Sequence, residues 1–251
     1  MTRQASGVQR SSVSSDVGRP TKRHALPPDA RRHTYESAAR QLCEQARAFH
    51  TKDWMCGTSG NLSVKVSNRP LHIAITASAR DKARLTPREI LLVDGQGQVL
   101  QPSHAAADGL KPSVETPLHL TLYELFPQCG AVFHVHTLYS TVLTSRLPEG
   151  AGHHRFRVER LEMLKGFNLW TQDPRVELPV FPNWLDVRRI ANDARAYFAR
   201  PRPMPAFLVA HHGLTAWGRD VAEAAKHVEL LDFICHYLWT VGAAPRPASS
   251  A

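Results

Sequence analysis

Apolar residues recur along this chain with two different periods, and each period predicts a different element. They recur every three or four positions in segments such as YESAARQLCEQARAFH and DVRRIANDARAYFAR, which predicts amphipathic helices. They alternate in LSVKV, and they form short runs in PLHIAIT, GAVFHVH, VELPVF and AFLVAHHG, which predicts strands. Further helices are predicted in VETPLHLTLYELF, TLYSTVLTSRL, RLEMLKGF and the segment after Asp220, and a polar loop is predicted over residues 147–160.

Predicted strands and helices intermix from residue 54 to residue 241, and no Pro- or Gly-rich linker divides them. Several strands follow one another directly, which favours a mixed or antiparallel sheet flanked by helices. The pattern therefore predicts one α/β domain over residues 34–242. Residues 1–33 are rich in Ser, Arg and Pro and poor in large apolar residues, so we expect a disordered basic tail there, and a second tail over residues 243–251.

The formal net charge of +9 suggests a nucleic-acid partner, but its distribution argues against one. Residues 1–33 carry +5 of that charge, and no basic run with interleaved aromatic residues marks the rest of the chain. No apolar run reaches the length of a membrane span, and residues 1–33 lack the apolar core of a secretory signal. The four cysteines have no CxxC spacing, which is typical of free thiols in a reducing compartment. We expect a cytoplasmic protein with neither a membrane nor a nucleic-acid partner.

The candidate chemistry begins at FHVHT, where a predicted strand ends. His134 and His136 are two residues apart, and side chains at this spacing project from one face of a strand. Imidazole is a common ligand of zinc and similar ions. Two buried, hydrogen-bonded histidines are the alternative for an isolated pair, because a catalytic zinc needs three protein ligands.

A second strand end offers the third ligand. The segment AFLVAHHG ends in His211 and His212, followed by a glycine that permits a sharp turn. Strand parity places these two side chains on opposite faces and leaves open which of them joins His134 and His136. The sequence therefore predicts a three-histidine metal site with one open position, suited to polarising a carbonyl or a hydroxyl group.

Two carboxylates are candidates for moving protons beside such a metal. Glu115 is predicted in the first turn of a helix capped by Ser113, where the helix dipole favours a charged carboxylate. His119 follows it by about one helical turn and is a candidate neighbour of the site. Glu162 lies in a short helix after the polar loop. Both carboxylates also fit a simpler interpretation, as capping or surface residues.

Two loops have the composition of anion-binding loops. We call GTSGN (residues 57–61) and TASARDK (residues 76–82) the phosphate loops, because their hydroxyl and backbone N–H groups can converge on a phosphate. Lys82 and Ser113 are candidates for further contacts. Each loop is a weak signal by itself, since Gly- and Ser-rich loops are usually plain turns.

The motifs GTSGNLS, ITAS, LTP, KPSVETPLH, GAVFHVHT and HHGLTAWG, in this order, resemble the class II aldolase/adducin family over about residues 34–239. KPSVETPLH, and LEMLKG followed by ELPVF, resemble one branch of the family, the dehydratases of methylthioribulose 1-phosphate in methionine salvage. The resemblance implies a lyase with a three-layer α/β/α fold around a central, mainly antiparallel mixed sheet. It also implies homotetramers that act on a small phosphorylated sugar.

The resemblance further implies roles for single residues. One zinc ion per subunit would bind His134, His136 and His212, so the resemblance selects His212 over His211. Glu162 matches the catalytic acid/base of the dehydratases, and Glu115 matches the position that is the catalytic carboxylate and an extra metal ligand in the aldolases. Five residues match positions on or beside the substrate phosphate: Ser59, Asn61, Ser78, Lys82 and Ser113.

The implied reaction converts 5-methylthioribulose 1-phosphate to 2,3-diketo-5-methylthiopentyl 1-phosphate. Two alternatives stay open: a sugar-phosphate aldolase or epimerase of the same family, and a non-catalytic scaffold like the adducin head domain. One departure from the family concerns Ala79, which replaces the glycine of its TASG loop. If the backbone has a positive φ there, Ala79 is strained by about 1–2 kcal/mol.

Overall fold

A single mixed sheet forms the centre of the computed structural model, which describes residues 34–102, 105–147 and 152–247. The strands in these residues are β1 (Asn61–Asn68), β2 (Leu71–Thr76), β3 (Ile90–Asp94), β4 (Val99–Gln101), β5 (Ala131–Val135), β6 (His154–Glu159), β7 (Arg175–Phe181), β8 (Ala206–Val209), β9 (Gly213–Gly218) and β10 (Arg246–Pro247). Their order across the sheet is β10-β6-β7-β8-β9-β5-β1-β2-β3-β4. Neighbouring strands are antiparallel except β7 and β8, so the expected mainly antiparallel sheet is confirmed.

Helices cover both faces of this sheet. The described α-helices are α1 (Tyr35–His50), α2 (Thr116–Leu125), α3 (Leu138–Thr144), α4 (Val187–Phe198) and α5 (Val221–Thr240), and short 3-10 helices lie at Pro87–Glu89 and Glu162–Phe167. One core joins α1, α3 and α5 to the sheet, and a second core joins α2 and α4 to its other face. The three-layer α/β/α arrangement is therefore confirmed. None of the helices among the described residues is long and apolar enough to cross a bilayer.

The amphipathic stripe predicted for α1 forms its buried face. Ala38, Leu42, Ala46 and Phe49 are each no more than 1% exposed. Burial of one Leu or Phe side chain contributes about 1.5–3 kcal/mol, so this stripe holds α1 against the sheet. The side chain of Thr34 begins the helix by accepting a hydrogen bond from the Ser37 N–H.

The prediction of a polar loop over residues 147–160 is wrong in its second half, where β6 forms. Phe156 and Val158 point into the core and are at most 1% exposed, while the polar residues that alternate with them, Arg155, Arg157 and Glu159, give the segment its polar composition. Two buried residues are too short a run to identify a strand from the sequence. At the C-terminal end, Arg246–Pro247 pair with β6 inside the predicted tail. The predicted tail residues 1–33 and 248–251 lie outside the described residues.

The start of α2 also differs from the prediction, because Glu115 and not Ser113 is the residue before the first helical turn. Pro117 has no N–H to be capped, and the Leu118 N–H donates to the main-chain oxygen of Glu115. The Glu115 side chain therefore makes no capping hydrogen bond. Its carboxylate is therefore available for contacts outside the helix.

Candidate metal centre and substrate cavity

Three neighbouring strands bring polar residues into one row across the sheet. His134 on β5 lies opposite Asn61 on β1 and opposite Thr215 on β9. Residues directly opposite in antiparallel strands share a face of the sheet, and here that face is the one covered by α2. All three side chains are at most 4% exposed, so their polar atoms need partners inside the protein.

The rings of His134, His136 and His212 converge on one point. Nε2 of His134 lies 2.9 Å from Nε2 of His136 and 3.3 Å from Nε2 of His212. One ligand atom from each residue lies within 4.8 Å of the other two. Nitrogens bound at about 2.0–2.1 Å to a tetrahedral ion are about 3.3 Å apart, so this spacing suits a shared metal ion. The structure thus brings together the three histidines that the resemblance selected.

The backbone around His211 decides which of the two adjacent histidines joins the cluster. His211 has a φ of 55° and turns the chain from β8 into β9, and its N–H donates to Thr144 Oγ1. This turn brings His212 to the end of β9 beside His136. A Cβ at the next residue, Gly213, would lie 2.4 Å from the Val135 oxygen and 3.0 Å from the His136 ring. Only glycine fits here, so Gly213 sets how closely β5 and β9 approach at the cluster.

Burial keeps two of the clustered imidazoles, those of His134 and His136, neutral near neutral pH. Burial, and then the nearby rings of His212 and His119, holds the pKa of His134 well below its usual value of 6.5. Burial, and then the rings of His134 and His212, lowers the pKa of His136 to about 3. Neutral imidazole offers a lone pair, whereas imidazolium does not. His134 and His136 therefore offer lone pairs to a divalent cation near neutral pH.

Glu115 is the carboxylate that the structure places beside the histidines. Its Oε2 lies 3.4 Å from Nε2 of His134, and its Oε1 lies 3.8 Å from Nε2 of His212. The Asn61 side-chain amide donates to Oε2 at 2.5 Å. Oε1 is buried and has no hydrogen-bond partner among the described residues. An unpaired buried carboxylate oxygen is costly, so its position indicates a partner such as a metal ion or a substrate hydroxyl.

A cavity of about 170 Å³ lies against this cluster. It is lined by residues 58–61 and 77–79 of the two phosphate loops, together with Ser113, Glu115 and His136. The Ser78 N–H donates to the main-chain oxygen of Lys111, which joins the second loop to the segment that carries Ser113. The same cavity is thus lined by hydroxyl groups and by the side chains of Glu115 and His136.

Four of the five predicted phosphate contacts line this cavity: Ser59, Asn61, Ser78 and Ser113. The hydroxyl oxygen of Ser59 is buried and has no partner in the described part of the chain. Lys82 lies behind the loops and is 1% exposed. Its ammonium donates to the main-chain oxygens of Thr58 and Arg80, at 3.0 and 2.9 Å, and so joins the two phosphate loops. Burial lowers the Lys82 pKa to about 8.

Two predicted features, the catalytic role of Glu162 and the strain at Ala79, concern residues outside the histidine cluster. The side chain of Glu162 is 78% exposed and forms an ion pair with Lys165 at 2.8 Å. The backbone at Ala79 has a φ of 54°, which is the left-handed conformation that the family's glycine adopts without strain. The condition for strain at Ala79 is therefore met.

Comparisons with known proteins identify the family of this chain. The sequence model of the Class II Aldolase and Adducin N-terminal domain matches residues 40–239. This chain belongs to the class II aldolase and adducin family. Among curated family members, the methylthioribulose-1-phosphate dehydratase of Microcystis aeruginosa is 38% identical, over 78% of this chain and 92% of that protein. The dehydratase of the same name from Methylococcus capsulatus is 39% identical, over 80% of this chain and 92% of that protein.

Solved structures of the family share the fold. YgbL from Escherichia coli is 26% identical and superposes with a TM-score of 0.66, covering 86% of this chain and 95% of that chain. The L-fuculose-1-phosphate aldolase from Thermus thermophilus is 23% identical and superposes with a TM-score of 0.60, covering 81% of this chain and 93% of that chain. The second likeness concerns the fold alone.

Sequence reasoning missed several polar residues beneath the cluster. Ser63 and Tyr123 are buried on β1 and α2, and Thr215 on β9 lies 3.1 Å from Nδ1 of His134. Ser63 occupies a polar position of a strand with alternating apolar and polar residues, so nothing in the sequence marked it as buried. Tyr123 follows His119 by four residues, which is about one helical turn. That spacing was the one available signal for Tyr123.

Proposed function

We propose that this chain is a lyase that removes water from 5-methylthioribulose 1-phosphate in methionine salvage. Relatives with this activity in their names support the substrate, because they are 33–39% identical over 78–80% of the chain. Within the chain, the proposal is carried by the cavity in which the phosphate loops meet Glu115 and His136. A substrate anchored there by its phosphate extends toward the histidine cluster.

Zinc is the metal we propose for His134, His136 and His212, with one ion per chain. Three imidazoles suit its coordination and leave one position for a substrate oxygen. When bound, the ion supplies a positive charge that polarises the C2 carbonyl and so acidifies the proton on C3. The unpaired Oε1 of Glu115, next to the cluster, is consistent with a cation at this place.

Glu115 is the proposed base of the reaction. Its carboxylate takes the proton from C3, and the electron pair of the C3–H bond forms a double bond between C3 and C4. The bond from C4 to its hydroxyl group breaks, and the hydroxyl leaves as water with a proton from the protein. The enol at C3 then loses its hydroxyl proton while C4 gains a proton, which gives the C3 ketone of 2,3-diketo-5-methylthiopentyl 1-phosphate.

The phosphate loops hold the substrate without entering the chemistry. We assign direct contacts with the phosphate to the hydroxyl groups of Ser59, Ser78 and Ser113, which line the cavity. The predicted contact from Asn61 competes with its hydrogen bond to Glu115. Lys82 adds its positive charge from behind the loops and keeps them together.

Glu162 is the second proposed acid/base residue, as the resemblance implies. Its exposed carboxylate pairs with Lys165 and is not among the metal-binding group of His134, His136 and His212 in the described part of the chain. We therefore propose that Glu162 reaches the site of another subunit in the predicted homotetramer, and that it supplies the proton for the leaving hydroxyl. Zinc as the metal, the tetramer and the cytoplasmic location stay predictions.

A sugar-phosphate aldolase is the second candidate function. The position of Glu115 beside His134 favours it, because the resemblance assigns this carboxylate to catalysis in the aldolases. Loss of the C3 proton in the dehydration and cleavage of the C3–C4 bond in the aldolase reaction both leave an electron pair on the carbon next to the C2 carbonyl, so the same site can serve either reaction. The scaffold alternative has no use for three convergent imidazoles.

Turnover assays with the purified full chain separate these functions. The substrates are 5-methylthioribulose 1-phosphate, followed by NMR for water loss, and ketose 1-phosphates such as fuculose 1-phosphate, followed for carbon–carbon cleavage. We expect water loss that stops when a chelator removes the metal and returns when zinc is added. Cleavage of ketose 1-phosphates without water loss from the first substrate would assign the chain to the aldolases. A folded, metal-free chain without either activity would favour the scaffold.

A further inference from the structure

A continuous chain of hydrogen bonds runs from Glu115 into the protein core. We call the four side chains beyond Glu115 the buried polar chain: Asn61, His119, Ser63 and Tyr123. Asn61 bonds to Glu115 at 2.5 Å and to Nε2 of His119 at 2.6 Å. Ser63 Oγ lies 2.7 Å from Nδ1 of His119 and 2.9 Å from the Tyr123 hydroxyl. All four residues are at most 4% exposed.

The donors of this chain all point toward Glu115. A carboxylate only accepts, so Asn61 donates with its amide nitrogen and its Oδ1 faces His119. His119 therefore donates from Nε2, and its Nδ1 accepts from the Ser63 hydroxyl. Ser63 in turn accepts from the Tyr123 hydroxyl. The negative charge of the Glu115 carboxylate therefore fixes which atom donates and which accepts in each of these hydrogen bonds.

His119 is suited to this role because it stays neutral. Burial lowers its pKa to about 4, although the nearby charge of Glu115 acts in the opposite direction. A neutral ring has one N–H and one acceptor nitrogen, which is what the two neighbours require. A protonated His119 ring would have no nitrogen left to accept from Ser63, and it would place a charge in the core.

We propose that His119 is a positioning residue for Glu115 and acts through the amide of Asn61. The last torsion of a glutamate side chain is broad, so a carboxylate without a fixed donor adopts several orientations. The bond from Asn61 selects Oε2 and leaves Oε1 toward His212. The proposal rests on the proposed function only in taking Glu115 as the reacting carboxylate.

Replacement of His119 tests this proposal in the full-length, zinc-loaded chain. His119→Phe keeps the ring shape and removes both hydrogen bonds, whereas His119→Gln keeps one donor and one acceptor. We expect His119→Phe to lower kcat by about 10–100-fold, as other supporting residues of metal sites do, with KM changed by less than about 3-fold. Bound zinc stays at one ion per chain, and His119→Gln recovers most of the lost kcat.

His227→Phe is the matched control. His227 is also a buried helical histidine, but its Nδ1 donates to the Trp217 oxygen at the other end of β9. The His227→Phe substitution should lower the unfolding temperature about as much as His119→Phe does, and it should leave kcat within about 2-fold of the wild-type value. Equal losses of kcat in both variants, loss of zinc in His119→Phe, or a His119→Gln variant as slow as His119→Phe would overturn the proposal.

NMR of histidine nitrogens separates this proposal from the proposed function. In the wild-type protein at pH 7 we expect a neutral His119 ring with its proton on Nε2. A proton on Nδ1 would overturn the direction of the hydrogen bonds in the buried polar chain. If the chain cleaves a ketose 1-phosphate in place of dehydrating methylthioribulose 1-phosphate, the proposed function fails. The kcat values of the same His119 variants are then measured with that ketose 1-phosphate as the substrate, and they test the positioning role independently of the dehydratase reaction.

Discussion

Oε2 of Glu115 lies 3.4 Å from Nε2 of His134, although the two residues come from a helix start and a central strand. The distance is short enough for both to serve one substrate atom or one ion. It follows from a helix that begins at Thr116 and from a side chain that caps nothing.

Glu115→Gln should lower kcat by about 100–10,000-fold, because the amide has nearly the same shape and cannot take the C3 proton. The three histidines are unchanged, so bound zinc should stay near one ion per chain. Single-turnover kinetics and metal analysis check both points. A variant that keeps full activity would remove Glu115 from the mechanism.

His212→Ala and His211→Ala form a matched pair of adjacent substitutions. Only His212 contributes a nitrogen to the cluster, so only its loss should abolish tight zinc binding. Loss of a metal that supplies about 4 kcal/mol of charge stabilisation lowers kcat by about a thousandfold. Metal analysis after gel filtration measures the zinc content of both variants. Equal zinc in the two would contradict the cluster.

Glu162→Gln and His134→Ala should each be inactive alone and active when mixed. If Glu162 acts in the site of a neighbouring subunit, a mixed oligomer contains sites with an intact cluster and an intact Glu162. We expect about a quarter of the wild-type activity after the two variants are exchanged by mild unfolding and refolding together. Mixtures that stay inactive would place both residues in the site of one subunit.

Ala79→Gly should stabilise the fold. Relief of the left-handed strain at φ 54° is worth about 1–2 kcal/mol, and the extra freedom of glycine in the unfolded chain costs about 0.4–1 kcal/mol. The net gain of about 0.5–1 kcal/mol is measured by urea unfolding. Ala106→Gly is the control at an exposed turn residue without a positive φ, and it should destabilise the fold. The same sign for both substitutions would argue against strain at Ala79.

Lys82 should make stability depend on pH in a defined window. Folding lowers its pKa from 10.5 to about 8, so the unfolded chain binds more protons between these values and stability rises as the pH increases through them. Compared with Lys82→Met, the wild type should gain about 2 kcal/mol of unfolding free energy between pH 7 and pH 10. Other groups titrate in both proteins and cancel in the difference. Parallel stability curves for the two would show that Lys82 titrates normally.

Much of the fold and part of the site followed from the sequence alone. The period of the apolar residues indicated α1, α4 and α5, and the strand parity of FHVHT placed His134 and His136 on one face. These features depend on local geometry, in which side-chain direction repeats with the element itself. The α/β class and the existence of a histidine site therefore needed no tertiary information.

The tertiary structure decided the remaining features. Parity left His211 and His212 equivalent, and the left-handed backbone of His211 together with the pairing of β9 with β5 selected His212. The rotation of Glu115 toward the cluster depends on Asn61 and His119, which come from different layers of the fold. Contacts between segments distant in the sequence leave no period along the chain, so only the packed structure determines them.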